Sequence, residues 1–327
     1  MNNAITIEDV KDAARQLAGI AVRTKLIEND ILNARTGGRI FIKPECLQRT
    51  GSFKIRGAYN CISRLSDAEK ARGVVAFSSG NHAQGVACAS KMLGVKAVIV
   101  MPTDAPAIKV ANTRGFGAEV IFYDRYSQSR EEIAADISTK QGLSVVPSYD
   151  HPHIIAGQGT AGLEIIEDIQ AMGLSLDAAL FNCGGGGLTS GSTIAIKALS
   201  PATQVHTVEP ADFDDTLRSF KSGKIETVDA SARSICDALL SPSPGLLTFS
   251  ILVANGVTGF CVTDEEVKDA MRFAMTELKI IAEPGGAASL AALLCGKIPT
   301  EGRNISVIVS GGNVDPDVYA EICASVS

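Results

Sequence analysis

Apolar residues along this chain fall into short runs of strand length, separated by longer stretches in which apolar positions recur with helical spacing. Arg39–Lys43, Val74–Ser78, Ala97–Met101, Glu119–Tyr123 and Leu143–Val146 predict strands. Phe53–Leu65, His82–Leu93, Ala107–Phe116 and Glu131–Gln141 predict the helices between them. The alternation resumes after Gly157 with helix 159–171, strand 178–182, helix 189–198 and strand 204–208. Helices 264–278 and 285–295 and strand 305–309 complete it.

Strand–helix alternation of this kind predicts an α/β fold with mostly parallel sheets flanked by helices. Residues 74–150 carry enough strands for a sheet of their own. They are expected to form a small α/β domain inserted into a larger one built from 1–73 and 151–327. The segment 240–249, with two prolines and a glycine, predicts an irregular connection bordering a site.

Composition narrows the function. The 327 residues are 46% hydrophobic and 20% charged, an ordinary globular balance. A net charge of −6 with no basic run argues against nucleic acid as a partner. The first residues have no uninterrupted apolar core of a secretory signal. No apolar run reaches the roughly 20 residues of a membrane helix. The eight cysteines are scattered without a C-x-x-C pair, which predicts reduced, mostly buried thiols and a cytoplasmic location.

Four motifs carry candidate chemistry. Lys54 stands in Gly51-Ser52-Phe53-Lys54-Ile55-Arg56-Gly57. A lysine attacks an aldehyde only as the neutral amine, which burial and the nearby Arg56 cation would favour; the plain alternative is a surface lysine at a helix start. Gly184, Gly185, Gly186 and Gly187 follow an apolar strand and precede a helix. Backbone N–H groups there can close around a phosphate, or the run is a tight turn. It lacks the Gly-Lys-Ser/Thr of a P-loop and fits a dinucleotide fingerprint poorly, so a monophosphate is the better ligand.

Ser78-Ser79-Gly80-Asn81-His82 opens a helix at a strand end and can hold a carboxylate, or simply cap the helix. Ser310-Gly311-Gly312-Asn313 ends another strand, where open α/β sheets bind ligands; a strand-ending turn is its alternative. The acids Glu209, Asp212, Asp214 and Asp215 suit a hard cation. Taken alone they read better as an acidic helix start. The four histidines have no metal-ligand spacing with cysteines.

In this order, S-F-K-x-R-G-A, S-S-G-N-H, a glycine tetrad and S-G-G-N resemble the two-domain fold-type II pyridoxal-phosphate (PLP) enzymes of the tryptophan synthase β-like fold. The similarity is to the serine/threonine dehydratase and serine racemase group, from about residue 20 to 315. It implies that Lys54 is the Schiff-base lysine and the base on one cofactor face, with Ser79 acting on the other. It implies Phe53 against the pyridine ring, Asn81 on the ring hydroxyl, Gly184 to Gly187 on the phosphate and Ser310 at the pyridine nitrogen. Ser78, Ser79, Asn81 and His82 would hold the substrate carboxylate. Glu209, the Phe213 carbonyl and Asp215 would form a metal site for Mg²⁺, or for Ca²⁺ or Mn²⁺.

The implied reaction is elimination of water from L-threonine or L-serine, giving a 2-oxo acid and ammonia. Serine racemisation stays open, because Lys54 and Ser79 are both present. So does dehydration of 3-hydroxyaspartate or a phenylserine. Arg130 matches an arginine near the substrate mouth and could meet a second carboxylate, or it is a surface arginine at a helix start. The segment 241–245 departs from the racemase pattern and favours a dehydratase. Ile55 stands where β-replacement enzymes carry Asn, which disfavours that reaction. A binding protein that has lost catalysis is disfavoured because every chemical position is filled. Homodimers or homotetramers are common in the group and are expected here. The chain reaches Ser327 soon after S-G-G-N, so neither a C-terminal regulatory domain nor isoleucine feedback is expected.

Overall fold

The computed structural model describes residues 5–78, 80–124 and 127–324. Two sheets form the frame. In the larger, β1 (Ile27–Glu28), β2 (Arg39–Pro44), β7 (Ala178–Asn182), β8 (Gln204–Pro210), β9 (Thr258–Val262) and β10 (Asn304–Val309) run in the order β1-β2-β10-β7-β8-β9. In the smaller, β3 (Val74–Phe77), β4 (Ala97–Pro102), β5 (Glu119–Tyr123) and β6 (Ser144–Val145) run in the order β5-β4-β3-β6. Every pairing is parallel except β1 with β2. The α/β architecture of helix-flanked, mostly parallel sheets follows.

β4 is buried along its whole length, and β2, β7, β8 and β10 are buried in all but their first residue or in full. This is why the apolar stretches of β2, β4, β7 and β10 run on without alternation, while β8 buries His206, Thr207 and Glu209 as well. The helix Lys54–Ser63 lends Ile55, Ala58 and Ile62 to the core of the smaller sheet, alongside Val74, Ile99 and Met101. It also packs on the long helix Pro152–Ala171, so it joins the two layers.

That long helix begins seven residues before the position predicted from the sequence. Pro152 occupies its first turn, where a missing N–H costs nothing, and the His151 side chain caps it. Gly157, Gly159 and Gly162 lie inside the helix because neighbouring backbones press on them. A Cβ at Gly157 would stand 2.5 Å from the Arg56 carbonyl oxygen, and one at Gly159 would stand 2.5 Å from that of Gly191. The segment 240–249 is irregular only up to Gly245; the helix Leu246–Ala254 begins there.

Candidate active site

The carboxyl ends of β3, β7 and β10 face a common cavity of about 580 Å³. Its wall includes Lys54, Asn81, Arg130, the four glycines 184–187 and Ser310, together with residues 240–245. Of the residues assigned to cofactor and substrate, Phe53, Ser78 and His82 also line it. Ser79 lies outside the described residues.

Lys54 is the first residue of its helix, and its Nζ donates to the Ser148 carbonyl at 2.9 Å. Burial lowers its pKa to about 8. The positive end of the helix works in the same direction. The predicted help from Arg56 needs correction. That guanidinium points away into a buried network, where it meets Glu45 at 2.8 Å and Glu164 at 2.7 Å, and its charge is neutralised there. Gly85 lets the helix Asn81–Leu93 approach, since a Cβ there would stand 3.0 Å from the Lys54 carbonyl carbon. Phe53 adjoins Lys54, whose Nζ lies 5.1 Å from the ring centroid. The Phe53 N–H donates to the Ser310 carbonyl at 3.1 Å, tying the first and last motifs together.

The glycine tetrad forms the N-terminal end of the helix Gly187–Leu199. Gly186 sits at φ +90° in the left-handed region, with no side chain capping the helix. The Tyr149 ring lies against Gly185, filling the place of any side chain there, and Gly187 is pressed by Tyr149 and Gln158. The first turn of this helix is therefore a backbone cradle of the kind that takes an anion. Across the cavity, Ser310 Oγ accepts from Asn182 Nδ2 at 2.9 Å, leaving its own proton to donate. Asn81 Nδ2 donates to Glu283, and its Oδ1 accepts from Asn313 Nδ2 at 2.8 Å.

His82 Nε2 donates to the Val146 carbonyl at 2.9 Å. Burial, reinforced by Lys54, pushes its pKa down to about 3, so it is neutral and brings no positive charge to the turn. Ser78 Oγ accepts from the Gly80 N–H at 3.1 Å. Arg130 opens the helix Arg130–Gln141, stacks over Phe77 at 5.4 Å and pairs with Glu131 at 2.8 Å.

The acidic group lies behind the glycine tetrad, at the end of β8. Glu209 accepts the N–H groups of Thr216 and Leu217 at 2.9 and 2.8 Å, so it anchors the helix Asp215–Ser222. Asp215 Oδ2 is buried with no hydrogen-bond partner. Burial raises the Glu209 carboxyl to about 8, with Asp215 adding to the shift, and raises Asp215 to about 7. Among the described residues, no group of three or more His, Cys, Asp or Glu side chains is placed to hold a metal.

Three residues at the site escape sequence reasoning: Tyr149, Lys109 and Glu283. Each belongs to no motif, and only tertiary packing brings Tyr149 and Lys109 to the cavity wall and Glu283 to Asn81 behind it.

The description pyridoxal-phosphate dependent enzyme matches residues 18–311. Over 96% of its length the chain is 46% identical to an L-threo-3-hydroxyaspartate ammonia-lyase of a Pseudomonas species, covering 97% of that protein. It is 38% identical to the catabolic L-threonine dehydratase of Escherichia coli, over 98% of this chain and 97% of that one. The structure of maize serine racemase superposes with a TM-score of 0.92 at 35% identity, covering 97% of this chain and 96% of the other. The chain belongs to the pyridoxal-phosphate dependent enzymes. Within them it falls in the fold-type II group of serine/threonine dehydratases and serine racemases.

No helix among the described residues is long and apolar enough to cross a membrane. All eight cysteines are free.

Proposed function

We propose that the chain is an ammonia-lyase that eliminates water from a β-hydroxy amino acid, giving a 2-oxo acid and ammonia. The observation that carries this reading is Lys54, a half-buried amine at the cavity wall with no carboxylate partner. Its pKa of about 8 keeps an appreciable neutral fraction near neutral pH. Pyridoxal phosphate, when bound, supplies the electron sink that makes the Cα proton of an amino acid removable. Lys54 Nζ would hold that group covalently and, once displaced by the substrate amine, take the Cα proton.

The cradle at Gly184 to Gly187 fits a phosphate, and the free Ser310 proton fits a ring nitrogen. A hydroxyl at that place, where an acid would draw more electron density, suits prompt loss of the β-hydroxyl. Asn81 has one amide hydrogen engaged by Glu283 and a second left for the ring hydroxyl. Because His82 is neutral, the substrate carboxylate would be met by the N–H groups opening the helix Asn81–Leu93, with Ser78 beside them.

Glu209, the Phe213 carbonyl and Asp215 would hold a divalent cation, Mg²⁺ in the first place. The partnerless Asp215 oxygen and two carboxyls raised by burial fit a missing positive charge. In solution we expect a homodimer or homotetramer in the cytoplasm.

Arg130 favours a particular substrate. It stands half-buried in the cavity wall, with a planar fork suited to a second carboxylate. That makes 3-hydroxyaspartate a better fit than threonine or serine. Racemisation is the second reading, and Ser79 is its candidate second acid/base.

A substrate panel with product-chirality analysis tests these readings. The expected result is 2-oxo acid and ammonia release, fastest from threo-3-hydroxyaspartate. Arg130→Gln should lower kcat/KM for that substrate at least about tenfold, the value of one charge-assisted contact, and change serine turnover little. No 2-oxo acid from any β-hydroxy amino acid would reject the lyase reading. Rapid D-serine formation instead would establish the racemase reading.

A further inference from the structure

Lys109 belongs to none of the sequence motifs, yet it touches three parts of the site. It projects from the helix Ala107–Gly115, beyond β4 of the smaller sheet, and is 1% exposed. Its Nζ lies 2.8 Å from Glu283, which is equally buried, and 2.7 Å from Asp237, just ahead of the irregular segment that borders the cavity. Its stem lies against Gly80, where a Cβ would stand 2.6 Å from Lys109 Cδ. Glu283 in turn accepts from Asn81 Nδ2, and Asn81 Oδ1 accepts from Asn313.

An asparagine amide can turn over and exchange its donor and acceptor ends. Here a carboxylate on one side and an amide donor on the other admit a single orientation. Ionised, Glu283 can only accept, whereas protonated it could also donate to the wrong end of the amide; in this buried place the Lys109 ammonium supplies the charge that compensates the ionised form. A buried ion pair is a weak source of net stability compared with apolar packing, so its use here calls for another role.

We infer that Lys109 is a positioning residue for Gly80 and Asn81, at the first turn of the helix Asn81–Leu93. Through Glu283 it fixes which end of the Asn81 amide faces the cavity, and through its stem it seats Gly80, so that the turn is formed before an amino acid arrives. The inference rests on the proposed role of this turn in holding the substrate carboxylate. A structural role alone would show in stability and leave ligand affinity unchanged.

The test uses holoenzyme and glycine, an amino acid with no β-hydroxyl to lose. Binding is followed by the change in the visible spectrum of the bound cofactor. Two variants are compared with wild type: Lys109→Met, and Lys109→Met combined with Glu283→Gln. The single variant leaves Glu283 buried and unpaired. It should lose thermal stability and bind glycine at least about tenfold more weakly, a loss of about 1.4 kcal/mol. The double variant removes that charge and should recover most of the stability. Its glycine affinity should remain about tenfold reduced, because a Gln at position 283 can turn either a donor or an acceptor to the amide and the Asn313 contact is then left to hold it without the carboxylate. If the single variant does not fold, the double variant carries the test.

Affinity that returns together with stability, or that never moves, overturns the inference. Tight glycine binding by wild type without turnover of any β-hydroxy amino acid would reject the lyase reading and leave this one standing. A wild-type holoenzyme blind to glycine would overturn this inference and leave the lyase reading to the substrate panel.

Discussion

Lys54 and Arg56 stand two residues apart at the start of one helix, Arg56 buried and Lys54 half-buried at the cavity wall, and their charges meet opposite surroundings. Arg56 lies between Glu45 and Glu164, and Lys43 closes the group at 2.6 Å from Glu164. Two cations face two carboxylates, and the Arg56 pKa rises despite its burial. Lys54 has a single carbonyl oxygen as partner, and its pKa falls to about 8. Compensation of one charge anchors the helix. Lack of compensation at its neighbour leaves an amine able to act as a nucleophile and base. The difference lies in which side of the helix each residue faces: Arg56 turns towards β2 and the helix Pro152–Ala171, Lys54 towards the cavity.

The acidic group behind the glycine tetrad is the mirror image of Lys54. Glu209 and Asp215 are buried acids with no ion-pair partner among the described residues, and their carboxyls are raised for the same reason that the Lys54 amine is lowered. An uncompensated amine fits an aldehyde-bearing cofactor, and uncompensated acids fit a divalent cation.

The sharpest break in this comparison is Lys54→Ala. Removing the amine should eliminate covalent retention of the cofactor and lower turnover by at least about a thousandfold, the scale of a lost nucleophile and base. Far-ultraviolet circular dichroism should be unchanged. Retained turnover would show that another group carries the chemistry.

Arg56→Met should act on stability. It leaves Glu45 fully buried and Glu164 largely buried without their main partner, which costs about 3–5 kcal/mol in comparable sites. Urea denaturation of the holoenzyme would register this as a lower midpoint at unchanged slope. A loss below about 1 kcal/mol would mean that the network relaxes and that Arg56 is no anchor.

A smaller effect is expected at the acids. Their folded pKa values, about 8 and about 7, lie above the ordinary 4.5 and 3.8. In cation-free protein the native state therefore keeps protons that the unfolded chain has released. The stabilising contribution is complete below the ordinary values and is lost as pH rises through the raised ones. Mg²⁺ would replace those protons, so its stabilisation should be small below about pH 6 and grow above about pH 8. Thermal midpoints with and without Mg²⁺ at both pH values measure this. Glu209→Gln should remove the difference; a gain independent of pH would place the ion elsewhere.

Much of this architecture is legible in the chain. The run 178–182 becomes β7 with both ends as predicted, since a strand buried on both faces is apolar throughout. The glycine tetrad and S-G-G-N fall at the ends of β7 and β10, as strand-then-glycine patterns imply. The start of the long helix is less legible, because Gly157, Gly159 and Gly162 look like breaks until their packing partners are known. The short helix Asp67–Arg72 buries no residue and is defined by its capping box, whereas Ile7–Gln16 has both a capping box and an apolar face of Ile7, Val10, Ala13 and Ala14. Lys109 and Glu283 are 174 positions apart, and no local pattern pairs them. The opposite fates of Lys54 and Arg56 are hidden for the same reason, since their partners come from distant segments.

The most direct measurement is cofactor uptake by the apoenzyme as a function of pH, trapped by borohydride and mapped by peptide mass spectrometry. Label is expected on Lys54 alone, with an uptake rate that rises as pH passes through about 8. Label spread over other lysines, or a rise only near the ordinary lysine value of about 10.4, would contradict it.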